Sequence, residues 1–255
     1  MDVVEALGAT ELFAEATQEE LCAITPAVRT RAFAHGAYVY HAGEPATAAY
    51  VVLSGLLKTV TVGPAGHELI VELTGPGGCI GEFHLLEEDS NRYYDLVAVE
   101  RSECLVVSRV SLQYYLERNP RLLRKVAAAM VRRLLRQAAT YHIAPRTESG
   151  IAGRVERQLS ALSDDYGEDT AEGRRIRLRV DQSMLAALVG ASRANVNRVL
   201  RQLVRNEVIS YDAGQITVVN SAALRSSFSS ARPPGNSLVR SASGHGSAGR
   251  ELTEG

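Results

Sequence analysis

The feature that most constrains this chain is the segment QSMLAALVGASRANVNRVLRQLV, which runs from Gln182 to Val204. Its fifth residue, Ala186, is small enough for two helices to cross closely. Its ninth residue, Gly190, readily takes the positive φ of a tight turn. The faces that two crossed helices would bury carry apolar residues, namely Leu185, Val189, Val196 and Val199. This spacing predicts a helix-turn-helix unit.

The second helix of this unit carries side chains suited to reading the edges of DNA bases. They are Arg193, Asn195, Asn197, Arg198 and Arg201, preceded by Ser192 at the helix cap. Arginine donates two hydrogen bonds to guanine, and asparagine pairs in the same way with adenine. We therefore expect double-stranded DNA as a partner. The alternative is a helical hairpin whose basic face is merely solvated.

The local charge points the same way. From Arg174 to Arg205 the chain holds eight arginines and one acid, Asp181, which gives this segment a formal charge of +7. The whole chain has a formal net charge of -1. A basic patch of this kind is typical of phosphate contact, so Arg174 and Arg175 are expected to touch the DNA backbone without regard to sequence.

The chain before this unit divides into a β-rich part and a helical part. Glycines separate short runs such as AYVVLSGLLKTVTV and HELIVEL, a pattern typical of a compact β-barrel or roll. Residues 121–143 contain no glycine or proline and predict one long helix. Its apolar residues form two stripes, Leu122, Val126, Met130 and Leu134 in one and Leu123, Val131 and Leu135 in the other.

Two stripes suit a helix that packs on its own β-domain and on a partner helix, so we expect a homodimer. The alternative is one wide stripe buried within a monomer. Together these patterns predict an α+β fold in four parts. The parts are a β-roll domain at 1–110, a dimerisation helix with a hinge at Pro145 at 111–146, a winged helix-turn-helix domain at 147–225 with its wing hairpin at 208–219, and a disordered Ser-, Gly-, Arg- and Pro-rich tail at 226–255.

Composition and motifs exclude several classes of protein. No apolar run approaches the roughly 20 residues that cross a bilayer, and the acidic N-terminus lacks the basic start of a secretory signal. Three distant cysteines, Cys22, Cys79 and Cys104, fit a reducing cytoplasm better than a disulfide scaffold or a zinc site. The chain has no GxSxG, GxxxxGK[ST], HExxH or CxxC motif, so we expect no enzyme, no catalytic residue and no metal site.

The order of β-roll, long helix, hinge and winged helix-turn-helix resembles the cyclic-AMP receptor protein/fumarate-nitrate regulator (Crp/Fnr) family of bacterial transcription regulators, over about residues 10–222. The stretches that carry the resemblance are GEFHLLEE, ERNP, AAMVRRLL, GRVERQL and LVGASRANVNRVL. The resemblance implies a cytoplasmic homodimer joined through the long helices, with RNA polymerase as a further partner. It also implies that the β-roll domain senses a small-molecule effector, whose identity the sequence does not give.

In nucleotide-binding members of this family, a Gly-Glu pair holds the ribose and an Arg followed by Ser or Thr and Ala holds the cyclic phosphate. A pair on the long helix contacts adenine. The residues at these positions here are Gly81, Glu82, Arg92, Tyr93, Tyr94, Gln137 and Ala138. The first three match, and two large rings replace the small pair after the arginine. We expect the rings to fill the phosphate pocket or to reshape it for another effector, with a cyclic nucleotide as the remaining alternative.

Other cofactors and classes have weaker support. Cys22 alone cannot hold the iron–sulfur cluster of some family members. Haem-sensing members use cysteine and histidine, yet Cys79, His67 and His84 are more typical of core and surface positions, and a redox switch at a cysteine has no activating neighbour in the sequence. A nucleotide-binding regulatory module would explain residues 10–110 alone, and constitutive DNA binding is a further alternative. Because Ala194 replaces the family's base-reading glutamate, we expect an operator other than TGTGA.

Overall fold

Two antiparallel four-stranded sheets form the first part of the chain. The computed structural model describes residues 2–10, 12–63, 66–85, 90–142 and 150–229. The strands are β1 (Val28–Phe33), β2 (Tyr38–Tyr40), β3 (Ala48–Ser54), β4 (Leu57–Val62), β5 (Glu68–Thr74), β6 (Cys79–Ile80), β7 (Asp95–Ala98) and β8 (Ser102–Ser108). One sheet has the order β1-β8-β3-β6 and the other β2-β7-β4-β5. A short 3-10 helix at Glu82–Leu85 follows β6.

Strand β3 is buried on both faces, which explains its continuous apolar sequence. Because successive side chains of a strand point to opposite faces, Tyr50 and Val52 join the interior between the sheets. Ala49 and Val51 point the other way and pack beneath the helices. The β-roll therefore has an inner and an outer core, and β3 contributes to both.

Four helices cover the outer core of the roll. They are α1 (Val3–Gly8), α2 (Gln18–Ile24), α3 (Arg109–Arg118) and α4 (Pro120–His142). The sequence did not predict α1. Thr17 and Glu20 form a capping box at the start of α2. The Glu20 carboxylate also accepts a hydrogen bond from Lys125 Nζ at 3.1 Å, which ties α2 to α4.

The long helix α4 matches its prediction in extent, but its stripes need a correction. Leu122, Val126 and Met130 are buried against the roll, as expected of one stripe. Leu134 is 55% exposed, like Val131, and so belongs to the outer face. An α-helix turns 100° per residue, so three steps of four residues drift by about 120°. The side chain of Leu135 lies outside the described residues.

The second domain starts with α5 (Gly150–Tyr166). The other elements are β9 (Gly167–Thr170), β10 (Gly173–Ile176), α6 (Gln182–Val189), α7 (Arg193–Arg205), β11 (Ile209–Asp212), β12 (Gln215–Val218) and α8 (Ser221–Ser229). Their sheet has the order β11-β12-β10-β9. The basic run RRIRLRV (174–180) is a strand only as far as Ile176, where β10 ends, and β10 pairs with β9, which the sequence did not predict. The wing hairpin is confirmed as β11 and β12.

Helix α8 corrects the tail prediction at its start. It extends to Ser229, so the first four residues of the expected disordered segment are helical. Pro145, with its predicted hinge, and residues 230–255 lie outside the described residues. The α+β architecture of β-roll, long helix and winged helix-turn-helix is confirmed.

The turn between α6 and α7 has the geometry that the sequence predicted. Gly190 adopts φ 61° and ψ 48°, in the left-handed region. The Asp181 side chain caps α6 by accepting from the Met184 N–H, and Ser192 caps α7 by accepting from the Asn195 N–H. Leu185, Val189, Val196 and Val199 are all buried between the two helices and their neighbours.

Replacing Gly190 by alanine should lower the free energy of unfolding by about 1–2 kcal/mol, since an L side chain in the left-handed region costs about that much. Space does not add to the cost, because the new Cβ would lie 3.6 Å from Leu69 Cδ1, an ordinary contact. Asparagine tolerates this conformation better, so Gly190→Asn is the matched control and should lose less. Urea unfolding of both variants measures the difference, and equal losses would contradict the assigned backbone conformation.

Candidate nucleic-acid interface and effector cassette

Helix α7 separates apolar and polar residues onto opposite faces. Its buried side chains are Val196, Val199, Leu200 and Leu203. Its opposite face exposes Arg193, Arg198 and Arg201, with Asn195 and Asn197 half-buried between them. The structure therefore brings these predicted DNA-reading residues together on one helix face, beside the exposed cap residue Ser192. A helix of this kind fits the major groove with its N-terminal residues toward the base edges.

Neutral amides hold two of the exposed arginines. Arg198 Nη2 donates to Asn195 Oδ1 at 2.7 Å, one turn earlier in the helix. Arg193 Nε donates to Gln182 Oε1 at 3.4 Å, across the turn. Both guanidinium groups therefore gain an orienting contact without losing charge to a carboxylate. Gln182 was not predicted to take part in DNA reading, because it meets Arg193 only once the two helices cross.

Arg174 and Arg175 lie on strand β10 and are ion-paired there. Arg174 Nη1 lies 2.9 Å from Asp169 Oδ1, and Arg175 Nη2 lies 2.5 Å from Glu168 Oε1. Both acids belong to β9, just outside the segment whose charge was counted from the sequence. The basic surface is therefore weaker at β10 than a formal charge of +7 indicates, and both phosphate contacts remain predictions.

The wing beside α7 is a β-hairpin whose strands are joined by a two-residue turn. Ala213 and Gly214 both have positive φ, 46° and 85°, which matches the right-handed twist of the flanking strands. The exposed tip of α7 also borders a cleft of about 1,420 Å³, with Ser192 and Arg193 on one wall and Lys58 and His67 of the β-roll on the other. The roll therefore approaches the DNA-reading surface without covering it.

Arg92 stands where nucleotide-binding family members have the arginine that holds the cyclic phosphate. Its side chain points into the β-roll and is 4% exposed. Its guanidinium carbon lies 4.1 Å from the centroid of the Tyr40 ring and 5.9 Å from that of Tyr50, and Nη2 donates to the Ala48 carbonyl. Burial lowers the pKa of Arg92, although the two tyrosines act in the opposite direction. The arginine is thus held by cation–π contacts and a main-chain acceptor.

The Gly-Glu pair lies directly beside this arginine. Gly81 has φ 80°, in the left-handed region that favours glycine, and a Cβ there would lie 2.6 Å from Arg92 Nη1. Glu82 is fully buried and lines a cavity of about 110 Å³ together with Cys79, Ala129 and Met130.

The two tyrosines after Arg92 do not fill the pocket, so that half of the expectation is wrong, and a pocket reshaped for another effector stays a prediction. Tyr93 is 69% and Tyr94 is 41% exposed, and the Tyr93 ring packs 5.2 Å from the ring of His84. The rings beside Arg92 are Tyr40 and Tyr50. Tyr50 points inward with the alternation of β3, whereas the pairing of β2 shifts register between Tyr38 and Tyr40, so alternation in the sequence does not place the Tyr40 ring. The side chain of Gln137 lies outside the described residues.

The remaining cofactor candidates gain no geometric support. Burial raises the pKa of the Cys104 thiol to about 11, so about one thiol in a thousand is ionised at pH 8. Cys79 is buried as well, while Cys22 is exposed. Among the residues that the structure describes, no three His, Cys, Asp or Glu side chains group as metal ligands.

Within the same ranges, no helix has both the length and the apolar character needed to cross a bilayer.

Comparison with known proteins supports both halves of this description. The sequence matches the family model "Cyclic nucleotide-binding domain" over residues 30–119 and the model "Crp-like helix-turn-helix domain" over residues 153–227. A "CRP-like cAMP-activated global transcriptional regulator" of Mycobacterium tuberculosis is 26% identical over 222 residues, which cover 86% of this chain and 97% of that protein. The "Global nitrogen regulator" of Nostoc sp. is 28% identical over 207 residues, which cover 81% of this chain and 91% of the relative.

A solved structure shares the same architecture. FixK2 from Bradyrhizobium japonicum superposes with a TM-score of 0.68 at 20% sequence identity, covering 78% of this chain and 96% of that one. At this identity the likeness shows a common fold.

Arg193→Ala should weaken binding to a selected DNA site by about 1–3 kcal/mol, because a bidentate contact to guanine would be lost. Arg174→Ala should cost less than about 1 kcal/mol and act equally on all sequences, since the arginine is already paired with Asp169. Fluorescence anisotropy with a site selected from a random library and with a scrambled duplex measures both. Unchanged affinity in Arg193→Ala would show that α7 does not read the bases through this side chain.

Proposed function

Because the chain belongs to the Crp/Fnr family of DNA-binding transcription regulators, we propose that it acts as a homodimer on a palindromic operator and does not take a cyclic nucleotide as its effector. The observation that carries the DNA-binding role is the exposed polar face of α7, on a helix whose other face is buried. The family consists of transcription regulators, and we propose no catalytic activity. Acting on bacterial DNA, the protein would work in the cytoplasm with RNA polymerase as a second partner.

The dimer proposal rests on the outer face of α4. Val131 and Leu134 are each 55% exposed, although the helix buries its other face against the roll. Positions three apart are neighbours on a helix surface, so these two side chains form one apolar patch. A second copy of α4 would cover this patch by two-fold symmetry, with the same surface used by both protomers.

The effector proposal rests on the contacts of Arg92. The Tyr40 ring and the Ala48 carbonyl hold the guanidinium inside the roll without any ligand. These contacts support a structural role for Arg92, in which the arginine packs inside the β-roll and does not hold a ligand. Regulation would then come from another ligand, or the protein would bind DNA constitutively.

One observation favours a second candidate, a nucleotide-responsive regulator. Arg92 Nε and Nη1 are buried and have no hydrogen-bond acceptor among the described residues. A phosphate oxygen would give either donor a charge-assisted hydrogen bond, which an aromatic face replaces only partly. One relative is also named as cAMP-activated.

Leu134→Glu combined with Val131→Glu should convert the dimer into a monomer, because four carboxylates would face each other in the α4 pair. Sedimentation equilibrium at micromolar protein measures the change, and circular dichroism checks that α4 remains helical. Val110→Glu is the matched control, since Val110 is a 71% exposed apolar residue on α3. A wild-type monomer, or a dimer that survives both substitutions, would contradict the proposed interface.

Titration calorimetry with cyclic AMP and then cyclic GMP should give no saturable heat, because Arg92 is already engaged inside the roll. Arg92→Ala serves as the control for specific binding. Heat that saturates near one ligand per chain in the wild type and disappears in Arg92→Ala would establish the second candidate instead.

A further inference from the structure

We propose that Tyr166 is a positioning residue for DNA recognition. By docking on strand β5 of the β-roll, it fixes the orientation of the helix-turn-helix and therefore the half-site spacing that the dimer accepts. The inference rests on the homodimer proposed above. It concerns how the two reading helices are held, and it is independent of any effector.

The docking contact joins the end of α5 to the end of β5. Tyr166 is the last residue of α5, and its hydroxyl donates to the Leu73 carbonyl at 2.8 Å. The same hydroxyl accepts from the Gly75 N–H at 3.3 Å. Both partners are main-chain groups, so the contact fixes the position of the ring relative to the backbone of the roll.

Gly75 fits the face of this tyrosine. A Cβ at Gly75 would lie 2.9 Å from Tyr166 Cε1, closer than real Cβ contacts, and its three nearest heavy atoms all belong to the Tyr166 ring. The φ of Gly75 is not in the left-handed region that favours glycine. Close approach of the ring is therefore the physical reason for a glycine at this position.

Beside the Tyr166 contact, apolar residues of β5 and α6 pack together in a seam. Ile70 and Leu73 of β5 belong to the same buried cluster as Leu185 and Leu188 of α6. Next to this seam, Leu69 Cδ1 lies 3.6 Å from where a Gly190 Cβ would be. The first helix of the reading unit thus lies on a strand of the roll, and the Tyr166 hydrogen bonds determine where along that strand it docks.

The Tyr166 contact is also linked to the DNA-reading face of α7. The Tyr166 carbonyl accepts from the Arg177 N–H at 2.9 Å, in the segment that leads into α6, and α6 packs on α7. Ser192 and Arg193 at the tip of α7 remain exposed. The contact therefore orients the reading helix and leaves its base-facing side open.

Orientation matters because two half-sites must be read at once. Helices on a two-fold dimer reach successive major grooves only when they lie about 34 Å apart. If each reading domain is fixed on its own roll, the dimer accepts one spacing. If the dock opens, the second domain samples more positions, so its effective concentration at the correct half-site falls.

The test compares operators that differ only in spacing. Wild-type protein first selects its operator from a random library, and the half-sites are then moved apart or together in steps of one and two base pairs. Affinities for these duplexes and for a single half-site are measured for the wild type, Tyr166→Phe and Gly75→Ala. Tyr114→Phe is the matched control, because Tyr114 is a 52% exposed tyrosine on α3.

Tyr166→Phe keeps the ring and removes both hydrogen bonds. We expect its preference for the selected spacing to fall about tenfold, as two bonds per protomer are lost, while affinity for the single half-site stays unchanged. Gly75→Ala should act in the same direction by displacing the ring. In a Tyr166→Ala background the added methyl group meets no ring, so Gly75→Ala should cause no further change.

Three outcomes would count against the proposals. A spacing profile of Tyr166→Phe equal to that of the wild type and Tyr114→Phe overturns this inference and leaves the homodimer in place. An equal loss on the single half-site overturns it too, because the domain itself would then be damaged. If the wild type selects no paired half-sites, the homodimer proposal itself fails.

Discussion

The apolar contact between strand β5 and helix α6 is the interaction on which the working parts of this chain depend. Ile70 and Leu73 of the roll share a buried cluster with Leu185 and Leu188 of the reading domain. The cluster removes both surfaces from water, which is the main source of cohesion between packed elements. Apolar contacts do not fix one orientation, so orientation depends on hydrogen bonds. The two hydrogen bonds of the Tyr166 hydroxyl select one position along the strand. Cohesion thus comes from many non-directional contacts, and orientation comes from two directional ones.

The same division of labour operates inside the β-roll. Arg92 enters the roll among apolar side chains, and there two aromatic faces and one carbonyl receive the guanidinium. A buried charge without partners would be costly, so these contacts make the arginine a tolerable part of the core. The arginine of the family motif is therefore present here, while its side chain makes internal contacts. Resemblance of motif and availability for a ligand are separate properties.

The sequence predicted what local spacing controls. The small residue at Ala186, the turn at Gly190 and the cap at Ser192 act within one segment, and all three take their predicted places. It could not predict contacts made across the fold. Tyr93 and Tyr94 follow the arginine in sequence, yet Tyr40 and Tyr50 meet it in space, because only the pairing of strands shows which rings face inward. The pairing of Arg174 and Arg175 with acids of β9 depends on a hairpin that the sequence did not reveal. Leu134 was assigned to the wrong stripe because a spacing of four residues was followed over three steps, whereas an α-helix has about 3.6 residues per turn.

The neutral amides beside the reading arginines have one more consequence. Gln182 and Asn195 orient Arg193 and Arg198 without neutralising them, so each guanidinium meets DNA with its whole charge. A cation that approaches a duplex displaces condensed counterions whether or not the bases are correct. We therefore expect this surface to hold any DNA loosely and to let the protein slide along it. Search and reading would then use the same two side chains: their charge keeps the protein on the duplex, and the geometry set by the amides stops it at the operator.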